Sequence, residues 1–160
     1  MRRRNMDGSV IARNRKARHD YFILETIEAG IALTGTEIKS VRAGKVNLKD
    51  GYARVQGSEV WLFNVHVSPY EQGTYYNHEP LRPRKLLLNA GEIRRLGAKT
   101  REKGLTLVPL TMYLKQNRWA KVELALVKGK TGSDKRDTIA ERDAKRDIDK
   151  AIKEKRQRDI

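Results

Sequence analysis

Large apolar side chains are confined to the middle of this chain, and that confinement limits what it can fold into. Before Tyr21 only Met1, Met6, Val10 and Ile11 are apolar and larger than alanine. After Val127 only Ile139, Ile148, Ile152 and Ile160 are. Neither end can repay the entropy of ordering by burying a core of its own, so both are expected to stay mobile until something binds them. One core must therefore come from roughly residues 20–127, which is enough for a domain without staples. The absence of cysteine excludes a disulfide framework, thiol catalysis and Cys-based zinc sites.

Within that middle the pattern is that of strands. YFILETI (21–27) is β-branched and aromatic, and Glu28-Ala29-Gly30 reads as a turn toward Ile31–Leu33. Residues 48–56 alternate loosely around Leu48, Tyr52 and Val55, and Gly57-Ser58 is a hairpin signal. In the run 59–67, Trp61, Phe63, Val65 and Val67 form the better core face, opposite Val60, Leu62, Asn64 and His66. Residues 106–115 and 119–128 read as a second strand pair around Gln116-Asn117-Arg118. Strands of eight to ten residues joined by short turns suggest a mainly β chain, a small antiparallel barrel or sandwich interrupted by short helices.

Those helices fall at 36–42 and 90–103. The second has Asn89 as N-cap with Glu92 three residues on, Ile93 and Leu96 facing the core, and Gly104 as its stop. A third is expected from Asp137. Its apolar stripe (Ala140, Ala144, Ile148, Ala151, Ile152) is thin. The pairs Glu141–Lys145 and Asp149–Lys153 each add ~0.2–0.5 kcal/mol, and Arg142–Arg146 and Asp143–Asp147 take similar amounts away. Such a helix needs a partner to form.

Charge points to that partner. The net charge is +15, divided as +6 on residues 1–19, +5 on 20–127 and +4 on 128–160. Basic clusters gain from counterion release on phosphates, so a nucleic acid is the first expectation, ahead of charge that merely keeps the chain soluble. Enzyme chemistry has little to stand on. His19, His66 and His78 lack companions at metal-ligand spacing, and no P-loop, H-E-x-x-H or G-x-S-x-G is present. No catalytic residue, metal or cofactor is expected. No apolar run is long enough to span a membrane, and a tail without Trp, Phe or Leu suits a membrane surface poorly. A cytoplasmic protein is expected.

Three clusters could grip RNA: Asn14-Arg15-Lys16-Ala17-Arg18-His19 ahead of the first strand, Lys39 with Arg42 on one side of a short helix, and Arg82-Pro83-Arg84-Lys85 before Leu86-Leu87-Leu88. If 86–88 is extended, Leu86 and Leu88 face the core and Leu87 points outward. Tyr52, Tyr75 and Tyr76 are candidates for stacking, although so few aromatics favour a binder that reads shape and phosphates.

Five segments together resemble a known family. They are NRKARHDYFILETIEAGIALTGTEIKSVRAGKVNLKDGY (14–52), NVHVSPY (64–70), NHEPLRPRKLLLN (77–89), GLTLVPLTMYLK (104–115) and KVELALVKGK with DKRDTIAERD (121–143). In that order they are similar to the SsrA-binding proteins, the small protein B (SmpB) family. The resemblance implies a mainly β fold, a six-stranded antiparallel barrel of the oligonucleotide-binding (OB) type with short flanking helices, that binds the tRNA-like domain of transfer-messenger RNA (tmRNA) and brings it to stalled ribosomes for trans-translation, with elongation factor Tu acting indirectly through the RNA. A monomer is expected. A general OB-fold translation or ribosomal protein without tmRNA preference is the alternative.

The resemblance implies tmRNA contacts at Asn14, Glu28, Lys39, Arg42, Lys85 and Leu87, to which the basic clusters add Arg15, Lys16, Arg18 and Arg84. It divides the chain into a flexible basic leader (1–12), an RNA-binding barrel (13–128) and a tail (129–160) that becomes helical in the empty message channel near the decoding centre. Tail residues expected at the ribosome are Lys128, Lys130, Asp134, Lys135, Arg136, Arg142, Lys145, Arg146, Ile148 and Ile152, with Gly129 and Gly132 as a hinge. Two positions depart from the family pattern. Ser133 replaces a His or Tyr, and Ala144 replaces a Trp, so stacking there gives way to phosphate contacts.

Overall fold

The antiparallel pair at the centre of the fold is the hairpin of 105–129, and three of its neighbours build on it. The computed structural model describes residues 8–72 and 77–158. The chain divides into two compact units, Met1–Gly129 and Lys130–Ile160.

In the first unit the elements are β1 (Ser9–Arg13), α1 (Arg15–Asp20), β2 (Tyr21–Ile31), α2 (Gly35–Arg42), β3 (Val46–Asn47), β4 (Tyr52–Gln56), β5 (Glu59–Phe63), β6 (His66–Val67), β7 (Arg84–Leu87), α3 (Ala90–Thr100), β8 (Leu105–Lys115) and β9 (Trp119–Gly129). Seven strands form one antiparallel sheet in the order β1-β8-β4-β5-β7-β2-β9, in which β8 also pairs with β9. A small second sheet joins β3 to β6. The second unit is a single helix, α4 (Gly132–Arg158). The architecture is thus mainly β with flanking helices and a C-terminal helix.

The hairpins form where the sequence places them. Gly57, at φ +62°, turns β4 into β5, and Gln116 and Asn117, both at positive φ, turn β8 into β9. Helices α2 and α3 carry capping boxes, Thr34 with Glu37 on α2 and Asn89 with Glu92 on α3. Ile93 and Leu96 of α3 are buried as expected, in one cluster with Val60, Leu62, Leu86, Leu107, Met112, Val122 and Leu124.

Four expectations are corrected. Val60 and Leu62, not Trp61 and Phe63, face the core. Asn64 explains it. Its left-handed backbone (φ 61°) ends the strand and resets the alternation, so that Val65 and Val67 are buried after it. Glu28-Ala29-Gly30 is no turn but the middle of β2, laid against Glu123, Val122 and Lys121 of β9. α3 ends at Thr100, three residues short of the expected end. α4 begins at Gly132 rather than Asp137, because Thr131 Oγ1 accepts from the Asp134 backbone N–H while the Asp134 carboxylate accepts from the Thr131 N–H. Gly132 is therefore its first helical residue.

The segment before Tyr21, expected to stay mobile until bound, instead contributes two ordered elements from Ser9 onward. β1 pairs with β8 from Ser9 to Arg13. α1 seats Ala17 against Val108, Leu110, Ala125 and Val127, a second apolar cluster on the other side of β8 and β9. Layers on both faces explain why eight of the eleven residues of β8 are buried.

Candidate nucleic-acid interface

Strand register assembles a face that no single segment contains. Leu87 of β7 lies opposite Gly30 of β2, Gly30 opposite Lys121 of β9, and Lys121 opposite Tyr113 of β8. Paired residues share a side of the sheet, as do residues two apart along a strand. Glu28, Lys115, Trp119 and Glu123 therefore share the side of this row, while Ala29, Leu86, Met112 and Val122 point into the core. Leu87 and Trp119 are each 53% exposed. Gly30 leaves room for Leu87, since a Cβ there would sit 3.1 Å from the Leu87 Cβ. Ile31, Leu33, Thr34, Gly35 and Ile38 wall the cleft between them, about 270 Å³, with Arg118 and Lys121 at its rim. An apolar cleft edged by cations suits a nucleoside whose phosphates lie outside it.

Glu28, a lone acid on this face, is held in place. The buried Tyr113 hydroxyl donates to its Oε2, and Lys115 Nζ stands 3.5 Å from its Oε1. The Tyr113 bond holds its carboxyl below the usual carboxylate range, against the effect of burial and with help from Lys115 and Lys121. Glu28 is thus an ionised acceptor set among cations.

The basic cluster of 82–85 divides. Lys85 shares the outer side with Trp61, its cross-strand partner, and its Nζ lies 3.2 Å from Glu59. Arg84 points inward. It is 1% exposed, its Nε donates to the Glu37 carboxylate, and its other nitrogens donate to the carbonyls of Val65 (2.8 Å) and Pro80 (3.1 Å). Its assignment to RNA is corrected: a guanidinium alternating with Leu86 on the core side is a brace, not a contact. Glu37 is fully buried. Burial raises its pKa, but bonds from Arg82, the Thr34 backbone and Arg84 outweigh that and bring it down to about 2. This pair ties α2 to β7. Lys39 and Arg42 stay exposed on α2, with Lys39 Nζ 5.2 Å from the centre of the Tyr70 ring.

The N-terminal cluster divides in the same way. Asn14 is 3% exposed, and its amide donates to the carbonyls of Leu48 and Pro109, both at 3.0 Å, while its oxygen caps α1 at Ala17. Its side chain positions α1 and has no hydrogen left to give a ligand. Arg15 and Lys16 are exposed, Lys16 against Asp50 at 3.0 Å. Arg18 reaches Glu123 at 3.7 Å, which brings α1 to the edge of the face. His78 is a brace between Thr36 and the Val67 carbonyl, both at 2.9 Å. Tyr52 stacks on Phe63, ring centres 5.5 Å apart. Tyr75 and Tyr76 lie outside the described residues.

In the second unit, Asp134 caps α4 and Arg136 Nε donates to the Gly132 carbonyl at 3.3 Å. Lys130 and Lys135 are partly covered, and Arg142, Lys145 and Arg146 are exposed. Ile148 and Ile152 are 60% and 47% exposed. Lys128 belongs to β9, opposite Phe22.

Of the expected contacts, then, Glu28, Lys85 and Leu87 share one outer face, and Arg18 borders it. Sequence reasoning missed Tyr113, Lys115, Arg118, Trp119 and Lys121. The outward phase of Trp119 and Lys121 was readable from the apolar Ala120 and Val122 that alternate with them. Which strands would flank them was not.

Comparison with known proteins adds its own findings. The model of the family described as "SmpB protein" matches residues 11–154. The SsrA-binding protein of Desulforudis audaxviator is 64% identical over 146 residues, covering 91% of this chain and 95% of that one. That of Carboxydothermus hydrogenoformans is 62% identical over 144 residues, covering 90% and 96%. A solved chain described under "tmRNA-SmpB: a journey to the center of the bacterial ribosome" superposes with a TM-score of 0.67 at 51% identity, covering 81% of this chain and 94% of that one.

Proposed function

Because the chain belongs to the SmpB family, we propose that it binds tmRNA through the outer face of β7, β2, β9 and β8 and carries it to stalled ribosomes for trans-translation. It is an RNA-binding protein of ribosome rescue and does no chemistry of its own. The observation that carries the choice of face is the row Leu87–Gly30–Lys121–Tyr113, with Trp119 and Glu28 beside it. Two exposed apolar side chains, two lysines and an oriented carboxylate converge there.

The finer reading follows from the same premise. Without β1, the pairings run β8-β4-β5-β7-β2-β9 and back to β8, and we read this as an OB-type barrel whose thinnest seam is the single pair Ala53–Leu107. The tRNA-like domain is the part of tmRNA that such a compact, modestly charged body would recognise by shape. Lys39, Arg42, Lys85, Arg15, Lys16 and Arg18 add phosphate contacts around the face. The tail takes the empty message channel near the decoding centre, and elongation factor Tu enters through the RNA. The setting is the cytoplasm.

A competition gel shift at fixed salt tests this. The chain should prefer the tRNA-like domain of tmRNA over an equally long structured RNA, and equal binding would mark a general RNA-binding protein instead. Trp119→Ala should weaken that binding about tenfold or more, as loss of one stacking or apolar platform does. Its melting temperature should hardly move, because half the side chain is already in water. Unchanged affinity would remove Trp119 from the interface.

A further inference from the structure

We propose that Tyr113 is a positioning residue for RNA recognition: its buried hydroxyl fixes the Glu28 carboxylate as the acceptor for one hydrogen-bond donor on the RNA, a base amino group or a ribose 2′-hydroxyl. The inference rests on the functional reading above and deepens it.

Four observations carry it. Tyr113 is 2% exposed, so its hydroxyl is not a contact for a ligand, yet it crosses from β8 to an acid 85 positions earlier in the chain. Glu28 is only half-buried, so its carboxylate keeps an outward side. An ionised carboxylate has about four acceptor sites, and Tyr113 and Lys115 occupy part of that capacity. Lys115 and Lys121 stand close enough to offset its charge toward a polyanion, while Glu123, its cross-strand neighbour, is drawn toward Arg18. A carboxylate has no hydrogen to give a phosphate and accepts only from a donor, so it reads a particular group rather than adding general affinity. Without the Tyr113 bond the carboxylate would turn toward the lysines and lose that aim.

The test is a thermodynamic cycle in RNA affinity, with the tRNA-like domain of tmRNA as probe. Tyr113→Phe keeps the ring and should weaken binding about tenfold, the worth of a hydrogen bond to a charged group. Glu28→Ala should weaken it at least as much, and the double variant no more than Glu28→Ala alone. Additive losses, or wild-type affinity in Tyr113→Phe, would overturn the proposal. Because a changed fold could mimic the loss, a second readout uses RNAs that each lack one 2′-hydroxyl or one base amino group. Wild type and Tyr113→Phe should bind equally at one such RNA, which also identifies the donor. If no RNA brings the two together, Tyr113 acts by some structural route and the proposal fails. A wild-type chain that shows no preference for the tRNA-like domain would instead sink the functional reading, and this inference with it.

Discussion

Arg84→Ala is expected to lower stability by about 3–5 kcal/mol, because it leaves the fully buried Glu37 without its closest counter-charge. In a unit of this size that is roughly 10–20 °C in melting temperature. The Val65 and Pro80 carbonyls lose a donor at the same time. Glu37→Leu with Arg84→Met should recover part of the loss, since a buried pair exchanged whole for apolar groups often comes close to breaking even. A single variant as stable as wild type in thermal or urea unfolding would mean that water reaches the pair.

Acid gives the same prediction an independent reading. The Glu37 carboxyl titrates at about 2 in the folded chain, below its ordinary 4.5. A depressed carboxylate contributes stability that is fully present above the unfolded value and is lost as pH falls through the folded one. On this arithmetic Glu37 contributes ~3 kcal/mol, surrendered between about pH 4.5 and pH 2. Urea midpoints should fall across that window, and fall less in Glu37→Gln. Glu25 and Glu28 are also held low, by Lys99 and by Tyr113 foremost, so some slope will remain. An identical slope in Glu37→Gln would argue against an ionised Glu37.

Removal of residues 131–160 is expected to leave tmRNA affinity within about twofold of wild type and to abolish tagging on stalled ribosomes. The deleted segment carries ten basic and eight acidic residues, a net of +2 out of +15, so the electrostatic attraction for the RNA barely changes. The buried core runs from Ala17 to Val127, so melting of the first unit should not shift. What the deletion takes away is α4, a charged helix with Ile139, Ile148 and Ile152 exposed. Helices of that kind are marginal alone and form best against a partner, which we take to be the ribosome. Ordering it there would cost about 2–5 kcal/mol, offset by phosphate contacts. Lost tmRNA binding in the truncated chain would place the tail in the RNA site. Tagging that survives both the deletion and Lys135→Ala with Arg136→Ala would remove its role on the ribosome.

Local signals were read well and distant ones were not. Asn89 with Glu92 announces the start of α3, and Gly57-Ser58 the turn of its hairpin, because each works within four residues of chain. The outward Leu87 also followed from local alternation. The core phase of β5 was misjudged because Asn64, an ordinary polar residue in the sequence, takes a left-handed backbone and shifts the alternation after it. In the candidate site, the family pattern marked Asn14 without saying that it faces inward. Trp119 and Lys121 passed unnoticed because nothing adjacent to them is unusual.

By itself, the sequence determined where most of the core lies, which segments pair as hairpins, how α3 is capped and how charge divides along the chain. All of these depend on periodicity and on neighbours a few positions apart. Only the tertiary structure decided that Arg84 is buried while Lys85 is exposed, that Gly30 clears room for Leu87 and that Tyr113 holds Glu28. A charge is tolerated inside, or an acid held on an RNA-facing surface, only because a partner arrives from another strand or helix. Here the partners are 47 positions away for Arg84 and 85 for Tyr113. The strand pairings bring them together, and a linear reading cannot assign those pairings from either residue alone.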